Sequence, residues 1–356
     1  MINQTLKQLY AVHSGKVSDK WSSYLIEYDR LFNVYRDKPV NLLEIGIQNG
    51  GSLEIWSKYF FNAKKLIGCD INPDCSRLVY EDSRIMVVLG DANSDLVESN
   101  VLQHMPFFDI VIDDGSHRSS DIVKSFARYF HNLADGGIFV VEDLHCSYWG
   151  EFEGGLFYPY SSITFFKRLA DIINHEHWGI AKSRSEILRG FFLKYDILID
   201  EDLLTHIHSI QFFNSICVVR KESPQNNSLG SRFVSGLDES IEMGGLSLQS
   251  SSTPEPSQIN NQWTARLIPP DEDVLRLESE IQCLNNKILE RNLEINNINK
   301  DLDNRGNEIF TLKKVVEDME RKVDELNNST SWRITKPLRF IYTHCANILH
   351  KLSIKS

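Results

Sequence analysis

Five short apolar runs punctuate the first part of the chain, and each reaches an acid or a glycine at or near its end. They are NLLEIGI (41–47), KLIGCDI (65–71), RIMVVLG (84–90), FDIVIDD (108–114) and GIFVVED (137–143). Such unbroken runs suit strands buried on both faces, as in a parallel sheet covered by helices. Helical stretches between most of them supply the right-handed crossovers that parallel strands require. Further on, HIHSIQFFNSICVVRK reads as two strands joined through Asn214-Ser215, an antiparallel hairpin. The expected fold class is therefore α/β: a doubly wound, mostly parallel sheet that finishes in an antiparallel pair.

Ligands of such sheets sit beyond the carboxyl ends of the strands. Polar residues gather there: Glu44 with Gly46, Asp70, Asp91, Asp113 with Asp114, and Glu142 with Asp143. In LEIGIQNGGS, Gly46, Gly50 and Gly51 follow the first strand and allow close backbone approach to a ligand. Asp70 is placed to accept bonds from both hydroxyls of a ribose, and Asp91 to meet the exocyclic amine of an adenine. Each acid alone reads equally well as a loop carboxylate or helix cap. Together, at successive strand ends, they favour an adenosine-bearing ligand. This half of the chain resembles the class I S-adenosylmethionine-dependent methyltransferases, whose acid and glycine-rich turn are matched by Glu44, Gly46, Gly50 and Gly51. Their second-strand acid is matched by Asp70. The resemblance implies a Rossmann-like methyltransferase sheet, and the closing hairpin agrees.

IDDGSH follows the fourth strand and VEDLHCSYW the fifth. Neighbouring strands lie about 4.8 Å apart, so Asp114, Glu142 and Asp143 can converge. Three carboxylates at close quarters repel unless neutralised. An all-oxygen donor set suits Mg²⁺, with the remaining positions left to water and substrate. His117, on the turn after Asp114, is close enough to act beside such a metal. For methyl transfer to an alcohol, metal coordination acidifies the hydroxyl and a histidine takes its proton.

IDDGSH…VEDLHCSYW is also similar to the metal-dependent sugar O-methyltransferases that act on macrolide antibiotics, and to their cephalosporin-hydroxylase-like relatives. That resemblance implies Mg²⁺ on Asp114, Glu142 and Asp143, His117 as the base, S-adenosylmethionine as the methyl donor and a sugar or glycan as acceptor. The segment GKVSDKWSSYLIEYDRLF resembles an N-terminal element of the same branch, expected near the cofactor pocket. The resemblance covers roughly residues 10–221. His145 is an alternative base, or a residue bonded to a backbone carbonyl. Tyr148, Trp149 and Phe152 either stack on a sugar face or pack in the core. Asp113 is read as orienting its loop, and Cys146 as inert.

The methyltransferase domain is expected over residues 1–221. Residues 222–270 are rich in Ser, Gln, Asn, Gly and Pro and read as a disordered linker. From 271 to 328 a heptad runs for eight repeats, with Val274, Ile281, Ile288, Ile295, Leu302, Ile309, Val316 and Val323 at its first position. The matching fourth positions are Leu277, Leu284, Arg291, Ile298, Arg305, Leu312, Met319 and Leu326. A coiled coil about 80 Å long, holding a homodimer or trimer, is expected. Residues 329–356 form a tail with Arg333, Lys336, Arg339, Lys351 and Lys355 and no acid. Leu338, Ile341, Cys345, Ile348, Leu349 and Leu352 recur along it at helical spacing, with Trp332 and Tyr342 as anchors. This predicts an amphipathic helix on an anionic membrane surface, a partner-binding helix being the alternative. The tail also resembles one found on enzymes that build bacterial surface polysaccharides, which implies a surface glycan or its lipid-linked precursor as substrate.

The net charge of −11 argues against nucleic acid as the main partner. Six cysteines without CxxC spacing fit a reduced, cytoplasmic compartment. The opening MINQTLKQLY lacks the pattern of a signal peptide, and no apolar run reaches membrane-spanning length. The expected location is the cytoplasmic face of the membrane, with peripheral attachment. Two rival functions remain at this stage: a small-molecule natural-product O-methyltransferase, and a non-catalytic membrane-tethered scaffold.

Overall fold

The computed structural model describes residues 4–252 and 255–353. The chain divides into two units, one ending at Leu275 and the other beginning at Arg276. The first unit holds, in chain order, α1 (Leu6–Val12), α2 (Ser22–Phe32), β1 (Asn41–Ile45), α3 (Gly51–Tyr59), β2 (Lys65–Asp70), β3 (Ile85–Leu89), α4 (Asp95–His104), β4 (Phe108–Asp113), α5 (Ser119–Tyr129), β5 (Leu133–Val141), α6 (Ser162–Ile173), α7 (Arg184–Tyr195), α8 (Glu201–Thr205), β6 (Ile207–Phe213) and β7 (Ile216–Lys221).

The strands form one seven-stranded sheet in the order β3-β2-β1-β4-β5-β7-β6. β1 to β5 are parallel, and β7 runs antiparallel to both β5 and β6. All five expected parallel strands and the closing hairpin are present, with Ser215 taking the left-handed turn conformation.

Alternation within each strand divides the core in two. Leu43, Ile67, Val111 and Phe139 face one side, where α5 and α6 contribute Phe126, Phe165 and Phe166. Leu42, Leu66, Ile110 and Ile138 face the other, against Tyr24, Tyr28, Phe32 and Trp56 of α2 and α3. α2 earns its place through spacing: Tyr24, Leu25, Tyr28, Leu31 and Phe32 recur on one helical face and are all buried.

Among the described residues, 222–270 hold two three-residue helical turns ahead of the next helix, Pro224–Asn226 and Leu246–Leu248. Phe233, Leu237 and Ile241 are almost wholly exposed. The expectation of a free tether is corrected towards its end. Gln258 N donates to Gly179 O at 2.7 Å, Lys182 Nζ donates to Thr264 O at 2.9 Å, and Arg168 grips Asp271 at 3.0 Å. Glu272 is buried against Gly190, where any side chain would collide with its carboxylate. The first unit therefore runs past residue 221, because these contacts pin the strap down.

The helix α9 (Pro270–Asn328) carries the heptads into the second unit without a break at Gly306, and α10 (Thr330–Ile334) and α11 (Lys336–Ser353) follow. The apolar heptad residues are each roughly half exposed in the single chain. Arg339 lies 3.5 Å over the Trp332 ring, so this expected anchor already has a partner. The side chains of Ile348, Leu349, Lys351 and Leu352, and residue Lys355, fall outside the described residues. Among the described residues no helix is long and apolar enough to cross a membrane.

Candidate active site

Strand register places the candidate residues. β1 pairs Ile45 with Asp113 of β4, and β4 pairs Asp113 with Val141 of β5. The ladder runs one residue further, through Asp114 N to Ile45 O and Glu142 N to Asp113 O, both at 2.9 Å. Gly46, Asp114 and Glu142 thus stand side by side at the sheet's carboxyl edge. Gly46 has φ +85°, and a Cβ there would lie 2.1 Å from Asp114 O, so only glycine lets the two strand ends approach this closely. His117 and Asp143 also adopt left-handed backbone, at φ 59° and 50°. Such strain costs non-glycine residues on the order of 1 kcal/mol and gathers at functional sites.

Two cavities meet at this edge. One, of about 330 Å³, is lined by Lys20, Trp21, Gln48, Asp114, His117, Glu142 and Asp143 among others. The second, of about 250 Å³, is lined by Asp70, Gly90, Asp91, Asn93, Asp113 and Asp114. Gly46, Gln48 and Asp114 belong to both. The second lies where an adenosine was expected, with Asp70 and Asp91 in its wall.

Gly46, Asp70 and Asp91 line the cavities, and the other expected cofactor residues lie behind them. Glu44 is fully buried and lines neither cavity. Its Oε2 accepts from Ser52 Oγ at 2.6 Å and Trp56 Nε1 at 3.2 Å, while its Oε1 is buried without a hydrogen bond. Gly50 and Gly51 line neither cavity; Gly51 packs on the Lys16–Val17 backbone. They shape the turn rather than touch the pocket. Asp70, in the wall of the second cavity, also accepts from Ile47 N and Gln48 N at 2.9 Å and Asn72 N at 2.8 Å.

The carboxylates of the chemical end surround a cation. Lys20 Nζ bonds Asp114 Oδ2, lies 2.7 Å from Glu142 Oε1 and 3.6 Å from Glu44 Oε1, and its side chain is 3 % exposed. Tyr28 OH donates to Glu142 Oε1 at 2.6 Å. Asp143 Oδ1 accepts from Tyr24 OH at 2.7 Å and Trp21 Nε1 at 2.9 Å. Burial raises the pKa of Asp114, Glu142 and Glu44 against the pull of this single ammonium. One ammonium faces Glu44, Asp114, Glu142 and Asp143, and the remaining charge is offset either by protonation of the buried acids or by a bound cation.

Metal-sized groupings centre on Asp114. One joins it to His117 and Asp143, the other to Glu44 and Glu142. The three expected ligands therefore do not form one such grouping among the described residues; Asp114 bridges two. The hard carboxylate donors nonetheless fit Mg²⁺.

His117 lines the first cavity with Nε2 3.6 Å from Asp143 Oδ2. His145 does not line it, and its Nδ1 is tied by a short hydrogen bond to Ser215 Oγ, a hydroxyl rather than the expected carbonyl. Tyr148 and Trp149 are 40 % and 48 % exposed, which sets aside core packing. Trp149 stands edge-on to His145 at 5.0 Å and 6.0 Å from Phe152, which lies 6.4 Å from His117. An exposed aromatic ridge thus flanks both histidines. Asp113 is buried, bonds Ser125 and Gly115 N, and orients the loop as expected. Burial pushes the Cys146 thiol up to about 11, consistent with an inert residue.

Sequence reasoning missed the reach of Lys20, Trp21, Tyr24 and Tyr28. Their segment was expected near the cofactor, yet these side chains grip the three carboxylates. The signal was available: Tyr24 and Tyr28 stand four residues apart on one face of α2, and Lys20 lies four residues before Tyr24, just ahead of the helix.

The first unit has the Rossmann-like fold of class I methyltransferases. It superimposes on MycE methyltransferase from the mycinamycin biosynthetic pathway in complex with Mg and SAH with a TM-score of 0.52, at 25% identity, over 69% of this chain and 58% of that one. The same enzyme with Mg, SAH and mycinamycin VI gives 0.51 at 24% identity, over 64% and 57%, a likeness of fold. In sequence the chain is 36% identical over 171 residues to 8-demethyl-8-alpha-L-rhamnosyl tetracenomycin-C 2'-O-methyltransferase of Streptomyces olivaceus, covering 45% of this chain and 44% of that one. It is 37% identical over 185 residues to demethylmacrocin O-methyltransferase of Streptomyces fradiae, covering 48% and 46%. With mycinamicin VI 2''-O-methyltransferase of Micromonospora griseorubida the figures are 37% over 169 residues, covering 44% and 41%. The match spans less than half the length of these curated relatives. No family model matches the chain.

Proposed function

We propose that this protein is an S-adenosylmethionine-dependent, Mg²⁺-assisted O-methyltransferase of a sugar hydroxyl. The observation that carries the reading is the meeting of an adenosine-sized cavity with a carboxylate and histidine cleft through Gly46, Gln48 and Asp114. Asp114, Glu142 and Asp143 would hold the metal, which when bound lowers the pKa of a hydroxyl and fixes its direction. Asp70 and Asp91 would meet the adenosine of the methyl donor. His117 Nε2 accepts the hydroxyl proton as the oxygen forms its bond to the methyl carbon and the carbon–sulfur bond breaks. Asp143 beside it stabilises the imidazolium that results. The exposed rings of Tyr148 and Trp149 suit the face of a sugar.

The relatives carry names of enzymes acting on sugars of glycosylated natural products. They support a glycosylated small molecule as acceptor, the alternative of the sequence reading, over a surface glycan. The surface-glycan reading keeps the support of the heptads and the basic tail alone. On that reading the arm joins two or three chains and the tails hold them peripherally on an anionic cytoplasmic membrane face. Radiolabelled methyl transfer separates these cases, using a panel of macrolide glycosides and lipid-linked oligosaccharides with and without EDTA. Mg²⁺-dependent labelling of a sugar is expected; full turnover in EDTA, or no transfer to any glycoside, would overturn the proposal.

A further inference from the structure

Glu153 stands in the loop after β5, yet it caps the helix that follows β4. The first amides of a helix have no partner within it. The residue flanking α5, Arg118, makes no side-chain bond to them. Glu153 does so instead: its Oε2 accepts from Ser120 N at 3.0 Å, while its Oε1 accepts from the Arg118 guanidinium at 2.6 Å. Arg118 directly follows His117. Glu153 holds left-handed backbone at φ 58°, although two glycines, Gly154 and Gly155, come next in the chain. The loop around it closes on itself. Gly154 N bonds Trp149 O and Gly155 N bonds Ser147 O, both at 2.9 Å, and a Cβ on Gly154 would lie 2.2 Å from Ser147 O. Beneath it, Ser162 of α6 joins the same two loops: its Oγ lies 2.6 Å from Ser147 Oγ, and its N donates to Ser119 Oγ at 2.9 Å. All three serines are fully buried. The loop bearing Tyr148, Trp149 and Phe152 is therefore fastened to the His117 turn twice, by serines inside and by one carboxylate outside.

We infer that Glu153 is a positioning residue for the acceptor, clasping the ring-bearing loop to the turn of His117. The inference rests on the reading proposed above, in which the rings take the sugar face and His117 takes the hydroxyl proton. On that reading the acceptor is held by one loop and deprotonated from another. Its hydroxyl meets His117 only while the two loops keep a fixed spacing. A carboxylate bonded through both oxygens, to a guanidinium and to a helix amide, sets such a spacing with charge-assisted bonds. Phe152, next to Glu153 in the chain, has its ring 6.4 Å from that of His117. Neither Glu153 nor Arg118 lines either cavity, so the clasp acts on how the acceptor is presented and leaves the methyl donor's pocket alone. A reactant misplaced by about 1 Å can cost as much as 10²-fold in rate.

The test is steady-state kinetics of the full-length chain, with the glycoside that wild type labels fastest in the panel above, alongside calorimetry with S-adenosylmethionine. Wild type, Glu153→Ala, Glu153→Gln, Arg118→Ala, the double variant Arg118→Ala/Glu153→Ala and Glu151→Ala are compared. Glu151, exposed on the same loop, is the control for loss of a carboxylate there. In Glu153→Ala, kcat/KM for the acceptor should fall by about 10–10²-fold, while affinity for S-adenosylmethionine stays at the wild-type value. Glu153→Gln keeps the shape and one bond, so it should fall by a smaller factor; it decides the matter if Glu153→Ala does not fold. Arg118→Ala should also lose less than Glu153→Ala, and the double variant no more than Glu153→Ala, because both remove one clasp. Glu151→Ala should match wild type. Wild-type kcat/KM in the folded Glu153 variants would overturn the inference and leave the methyltransferase reading standing. So would an equal loss of cofactor affinity, which marks a role in the fold at large, or losses in the double variant that multiply. A wild-type chain that labels no member of the panel would overturn both.

Discussion

Lys20 Nζ lies 2.7 Å from Glu142 Oε1, and both side chains are all but sealed from solvent. The pair joins the segment just before α2 to the end of β5. Removing one partner of a buried pair leaves an uncompensated charge, which typically costs about 3–5 kcal/mol. Lys20→Met should lose stability of that order in urea unfolding, and millimolar Mg²⁺ should restore part of it. A variant as stable as wild type would show that this ammonium does not hold the site together.

Metal dependence is read most cleanly at Glu142, which lines the first cavity only, whereas Asp114 lines both. Glu142→Gln should abolish turnover while S-adenosylmethionine still binds within a few-fold of wild type by calorimetry. Loss of cofactor binding in this variant would place the two ligands in one site.

The two histidines differ in freedom: His117 faces the cleft, and His145 is tied to Ser215. His117→Ala should lower kcat by about 10²–10⁴, the usual worth of a general base. His145→Ala should cost far less. The reverse ranking in steady-state kinetics would move the base to the second loop.

Asp113 carries a pH signature. Burial raises its carboxyl to about 6, above the value of about 3.9 expected in the unfolded chain. A raised pKa contributes stability that is full below pH 4 and is lost as pH rises through 6. The loss amounts to about 3 kcal/mol. Asp113→Asn should remove this term, so the gap between variant and wild type should shift by that amount between pH 4 and 7. Parallel stability curves from chemical denaturation would count against it.

The arm can be separated from the first unit, but not at residue 270. Asp271 and Glu272 both pair with Arg168, so the cut belongs after Leu275. Truncation there should give a monomer in sedimentation, whereas truncation after Asn328 should remain oligomeric yet release anionic liposomes. A monomer in the second case, or undiminished liposome binding in either, would sink the account of the arm.

The five parallel strands, the closing hairpin and the gathering of acids at the strand ends were legible in the sequence. Two-sided burial writes itself as short apolar runs, and chain direction puts whatever follows each run at one edge. Heptad spacing was legible for the same reason, since it is local and periodic. What each acid touches was decided only by contacts between distant segments. Glu44 turned inward to Ser52 and Trp56, Asp70 to the backbone of its neighbouring loop, and Lys20 crossed to Asp114 and Glu142. A carboxylate has the same sequence signature whether it faces a ligand, a backbone amide or an ammonium. Which of these it meets depends on residues that only packing brings within 3 Å.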